Sequence, residues 1–140
     1  MLRYPIAYIV TALIFAGLDF GWLSFAGPRL YKPEIGALLI EGVRLPPAIA
    51  FYLIYMLGVT GLCVLPNLAA RDWLRGAGAG ALLGLAAYAA YDLTNQATMK
   101  LWSTKVTVAD MIWGAFATAL ASALSIWLSS LILRAAGQGR

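Results

Sequence analysis

Gly76-Ala77-Gly78-Ala79-Gly80-Ala81-Leu82-Leu83-Gly84-Leu85-Ala86-Ala87-Tyr88-Ala89-Ala90-Tyr91-Asp92 is the stretch that decides the fold, and it runs on through Asn95 and a short loop to Asp110, Trp113 and Gly114. Gly76, Gly80, Gly84, Tyr88 and Asp92 recur every four residues. Each such step overshoots a full helical turn by only about 40°, so these side chains share one ridge of a helix. The ridge is smooth at one end and acidic at the other. A carboxylate in hydrocarbon is costly and needs a partner or a purpose, so the acidic end is the candidate site.

The rest of the chain supplies the setting. Of 140 residues, 62% are hydrophobic and 11% charged, and the mean hydropathy is +0.81. Soluble domains carry about 25% charged residues. The composition therefore predicts an all-α integral membrane protein, an antiparallel, left-handed four-transmembrane-helix bundle forming a single domain over 1–140. Its spans fall at about 5–26, 46–65, 74–98 and 106–133, each of membrane-crossing length. Ser24 and Ala26 would satisfy the small-residue rule for signal cleavage. The apolar run before them is too long for a signal peptide, however, and carries Asp19 and Trp22, so it is expected to stay as the first span.

Residues 27–45 form the longest connection, with Ile35 to Ile40 apolar enough to lie on the membrane surface as a short helix or reentrant lip. Pro46 and Pro47 open the second span and Pro66 is expected to stop it at Leu65. A tight polar turn holding Arg71, Asp72, Trp73 and Arg75 leads to the third span, and the residues after Leu133 form a basic tail.

What the chain lacks narrows its chemistry. With no histidine, the His-rich motifs of membrane desaturases, haem ligation by histidine and the usual zinc hydrolases are excluded. The single cysteine, Cys63, has no disulfide partner and reads as a packing residue. The net charge of +4 is spread over the connections, which is no nucleic-acid footprint; the basic residues read as interface anchors. Nothing requires a metal or another cofactor.

Four spans place both termini on one side. Arg3, Arg71, Arg75, Arg134 and Arg140 then lie on the terminal side and Arg29, Lys32, Arg44, Lys100 and Lys105 on the other, a tie of five to five. The terminal amino group and the short flanking connections favour termini in the cytoplasm.

This topology gathers scattered polar residues. Asp19, Asp92 and Asp110 all come to lie roughly 6 to 11 Å inside the same membrane face. Tyr52, Tyr55, Tyr88, Tyr91, Asn95, Trp22, Trp102, Trp113 and Lys100 belong to that half as well. Asp110, Gly114, Thr118, Ser122, Ser125 and Ser129 form a matching ridge on the fourth span. Packed antiparallel, Gly80 and Gly84 should face the Thr118 to Ser125 region while Asp92 faces Asp110, leaving a tight end and an acidic end open as a cavity. Close carboxyl groups in a low-dielectric site cannot easily both ionise, so one should hold a proton. Lys100, Lys105, Arg29 or Lys32 could instead neutralise the acids from the rim. The plainer alternative is that buried Asp, Asn and Tyr only fix helix register, through hydrogen bonds worth on the order of 0.6 kcal/mol each. For Trp22, Trp73, Trp102 and Trp127 the plain alternative is an interface belt.

The residues Asp19, Trp22 and Leu23, Phe51-Tyr52-Leu53-Ile54-Tyr55, Tyr88-Ala89-Ala90-Tyr91-Asp92-Leu93-Thr94-Asn95, Trp102, and Asp110 with Trp113-Gly114 resemble those of domain-of-unknown-function family 2177, small membrane proteins of bacteria. The resemblance implies a multi-pass protein of the bacterial inner membrane with four spans. It carries no assigned reaction. Association of the family with lipid-modifying genes, such as relatives of cyclopropane-fatty-acid synthase, implies a lipid-like ligand. Tyr91-Asp92 matches half of the intramembrane aspartyl protease signature, but the partner Gly-x-Gly-Asp is absent, as is the Phe-Asn-x-Ala-Asp motif of lipoprotein signal peptidase.

The leading expectation is an acidic and aromatic cavity that binds, and by extension modifies, a lipid-like amphipathic molecule. Asp92, Asp110 and Asp19 would be acid, base or proton relay. Asn95, Tyr52, Tyr55, Tyr88, Tyr91, Trp22, Trp102, Trp113 and Lys100 would contact the ligand. The alternatives are a small proton- or cation-coupled transporter and a structural subunit of a larger complex. Expected partners are membrane lipids and a second copy in a homo-oligomer, with no nucleic acid.

Overall fold

Lipid offers no hydrogen-bond partners, so a chain this apolar has to satisfy its backbone internally. It does so as helix. The computed structural model describes residues 1–138 and contains, among them, four long helical segments and no strand. They are α1 (Arg3–Leu38) and α2 (Leu45–Leu68), α3 (Trp73–Thr98) and α4 (Thr104–Ala135). Arg140 of the charge count lies outside the described residues. Three of the helices, α1, α2 and α4, are long and apolar enough to cross a membrane. The fourth, α3, has the length but builds its surface from glycine and alanine and carries Asp92 and Asn95.

Outward-facing side chains fit a lipid surround. Leu13 and Leu82 are each 70% exposed, and Phe20 and Ile54 project from the bundle in the same way. Such large bare apolar areas are rare on soluble monomers.

Two helices run further than expected, for the same reason. From Gly27 to Tyr31 the expected connection is a wide π turn, after which α1 continues through Lys32–Ile35 and a last 3₁₀ turn to Leu38. A second π turn, Thr60–Val64, lets α2 pass Pro66 and reach Leu68 instead of ending at Leu65. Proline lacks an N–H and clashes with the carbonyl four residues back in a regular helix. Pro28 falls in the first turn of the first wide segment, Pro33 and Pro66 in the first turn of the segments that follow them. The shifted hydrogen-bond ladder thus absorbs each proline without ending the helix. The 36 residues of α1 would measure about 54 Å against a hydrocarbon core of about 30 Å. The helix is thus longer than a crossing needs, and its end from Gly27 to Leu38 forms an overhang: Ile35 to Leu38 continue the helix, and Leu39 and Ile40 lie beyond it.

Helices α3 and α4 form the tightest pair, antiparallel as the ridges require. A Cβ on Gly80 would strike the Thr118 carbonyl and the Ser122 hydroxyl, and one on Gly84 would overlap the Gly114 backbone. Small residues bring the two backbones together where dispersion is the available attraction. Beside them α1 and α2 close a core of Phe15, Tyr55, Met56, Val59, Cys63, Ala117 and Ala121. Asp72 caps α3 by accepting the Arg75 N–H at 2.9 Å. The first and last described residues, Met1 and Gln138, line one cavity, so both termini sit at the same end of the bundle.

Candidate functional site

At the other end lie the acids. Asp19 and Asp110 are buried, and Asp92 is 0% exposed. Asp19, on α1, accepts from the Tyr52 hydroxyl of α2 and, at 3.3 Å, from the Trp113 N–H of α4. Asp110 accepts from the Tyr31 hydroxyl, and Tyr31 is in turn held by the Trp22 N–H at 2.8 Å. Trp22 and Trp113 stack with ring centres 4.9 Å apart and planes 7° from parallel, which joins the two networks.

Asp92 completes the cluster differently. Its carboxyl group neighbours that of Asp110, and no donor is directed at either of its oxygens. Two ionised carboxylates can only accept, so this contact is stable only when one of them carries a proton. Asp19 has two donors, Asp110 one and Asp92 none. Among the described residues no three carboxyl or thiol groups converge as a metal-ligand set.

The structure brings together only part of the expected constellation. Tyr52, Trp22 and Trp113 bond or stack within the cluster. Tyr55 instead shares a 2.7 Å hydrogen bond with the Thr118 hydroxyl, one layer deeper. Tyr88 packs on Gly114, where a Cβ would meet its ring, and meets Tyr55 edge to face. Tyr91 is exposed and lies edge to face against Trp102, with Asn95 half-buried beside it. The Trp102 N–H donates to the Thr107 hydroxyl at 2.9 Å, bracing the connection between α3 and α4. Lys100 is exposed. None of the rim cations neutralises the acids: Lys105 pairs with Glu34 at 3.2 Å, and the Arg29 guanidinium turns back to the Phe25 carbonyl and ring.

The two cavities described lie elsewhere in the molecule. Neither described cavity is lined by an acid: one, of about 590 Å³, lies at the terminal end, and the other, of about 530 Å³, is an apolar groove along the outer face of α3 and α4. Where an opening was expected, the overhang of α1 lies over the acids. Tyr31 is the residue that sequence reasoning missed, because its place depends on the π turn at Gly27. The sequence carries no direct signal for it, because no residue type demands a π turn. Glu34 on the same overhang accepts from the Ser103 hydroxyl at 2.6 Å as well as from Lys105.

With this geometry in place, comparison with known families gives one match. The family described as "Predicted membrane protein (DUF2177)" matches residues 4–127. The chain belongs to this family. The DUF2177 match spans the acid cluster, Tyr31 and both faces of the α3–α4 contact. No curated protein and no solved structure matches the chain.

Proposed function

We propose that this DUF2177 protein handles protons inside the membrane: the Asp92–Asp110 pair takes up and releases one proton, and Tyr31 on the α1 overhang covers the pair. The observation that carries the reading is the completely buried Asp92 whose oxygens have no donor, opposite a carboxyl group that has one. A pair fixing only helix register would be expected to arrive with complementary donors. On this reading all four helices cross the bacterial inner membrane. The termini are cytoplasmic, where Arg3, Arg71, Arg75 and Arg134 flank the ends of the spans.

The test is proton movement in liposomes carrying an internal pH dye. Wild type should dissipate an imposed pH gradient faster than empty liposomes, and Asp92→Asn should not. Equal rates for the two variants would refute the proposal.

A second reading is favoured by the groove on α3 and α4. Leu85, Met111, Ala115 and Phe116 line it, and Met111 adjoins Asp110 in sequence. A lipid-like molecule could lay its tail there and bring its head to the acids once the Tyr31 segment lifts. Retention of a defined lipid by wild type and its loss in Phe116→Ala, with proton movement unchanged, would favour this reading.

A further inference from the structure

The cavity at the terminal end is unlike everything at the acidic end. It holds about 590 Å³, within the range of ligand pockets. Its rim carries Arg3 and Arg71, its inner wall carries Leu65, Leu68 and Leu133, and among the described residues no acidic side chain lines it. Cationic pockets between helices at a membrane surface suit the phosphates of lipid headgroups. Arg3 donates to the Tyr4 hydroxyl at 2.9 Å and lies over the Tyr4 ring. Arg71 occupies the left-handed residue after the end of α2, with φ +56°.

That backbone position is informative because the chain contains it twice. At the end of α2 the Arg71 N–H bonds the Leu68 carbonyl and the Asp72 N–H bonds the Asn67 carbonyl. At the end of α4 the same pair of bonds joins Gly137 to Arg134 and Gln138 to Leu133. Glycine is the residue that suits this turn, and Gly137 occupies it with φ +73°. At the other copy stands an arginine, where L side chains are disfavoured, and its side chain lines the cavity. Asp72, the acid beside it in sequence, is engaged in capping α3.

We propose that this cavity binds an anionic phosphate group through Arg3 and Arg71, and the leucine wall favours a phospholipid as its carrier. The site is independent of the acid pair, which lies at the opposite end. Backbone geometry also supplies a clean variant. Arg71→Gly removes the cation and suits the left-handed turn, so the fold should survive it.

The experiment is native mass spectrometry of protein in mild detergent with equal phosphatidylglycerol and phosphatidylcholine added, and inorganic phosphate in a separate arm. Wild type should retain phosphatidylglycerol in preference to phosphatidylcholine, whose phosphate is screened by choline. The double variant Arg3→Gln/Arg71→Gly should bind it about tenfold more weakly with unchanged thermal stability. Asp92→Asn should bind it as wild type does. Inorganic phosphate that competes with the lipid in wild type would support the shared chemistry and assign part of the affinity to phosphate itself. Equal binding of the two lipids, or undiminished phosphatidylglycerol on the double variant, would overturn the proposal.

Discussion

The two halves of this bundle solve opposite packing problems with the same pair of helices. In the middle of α3 and α4, Gly80 and Gly84 meet Gly114, Thr118 and Ser122 so closely that a single added carbon has no room. Toward the loop-facing end the same two ridges carry Asp92 and Asp110, and the approach that maximises dispersion in one half brings two carboxyl groups together in the other. The tight half is held by shape. The acidic half is held by donors from α1, α2 and α4, namely Tyr31, Tyr52 and Trp113, which reach Asp19 and Asp110 but not Asp92. The difference teaches that close packing, not a dedicated loop, is what brings the acid pair together.

Breaking the tight half should have the largest effect. Gly84→Val inserts a side chain into the Gly114 backbone and should cost about 3 kcal/mol, seen as a large drop in thermal stability in mild detergent. Gly78→Val is the matched control, because a Cβ there meets nothing within 4 Å; a comparable loss from both substitutions would refute the contact.

Next comes the cover. Tyr31→Phe removes the donor to Asp110 and the acceptor for Trp22, and should cost about 2 kcal/mol in the same unfolding measurement. A variant as stable as wild type would mean that the overhang does not rest on the acids.

A sharper comparison makes one chemical change at two acids. Asp92→Asn puts an N–H donor toward Asp110 in place of the proton the pair shares and should leave stability nearly unchanged. Asp19→Asn replaces an acceptor served by both Tyr52 and Trp113 and should destabilise the bundle by about 1 kcal/mol. Equal losses from the two substitutions would erase the distinction between the two acids. The smallest effect is expected at the rim, where Glu34→Gln weakens an exposed contact to Lys105 and should leave the melting temperature unchanged within error.

Much of the fold was legible because periodicity in lipid is simple. The four-residue ridges of Gly76 to Asp92 and Asp110 to Ser129 predicted which faces of α3 and α4 meet and which acids face each other. The path of the chain at prolines was not legible. Pro66 was expected to end α2 and the first span to run only to about Ala26, but a π turn is a local change in hydrogen bonding that no residue type demands. Its consequence is large, since the turn at Gly27–Tyr31 places Tyr31 against Asp110 at the end where a cavity was expected. Composition located Tyr91, Asn95, Trp102 and Lys100 at the correct end, but depth along a helix does not fix direction around it. Tyr91 consequently faces outward while Asp92, its neighbour, is buried.

The central claim is that the Asp92–Asp110 pair holds one proton in the membrane interior. Infrared spectroscopy of the protein in lipid at neutral pH tests it most directly, through the carbonyl stretch of a protonated carboxyl group. Wild type should show one such band, and it should vanish in Asp92→Asn. A wild-type spectrum with no protonated carboxyl, or a band unaffected by Asp92→Asn, would contradict the account.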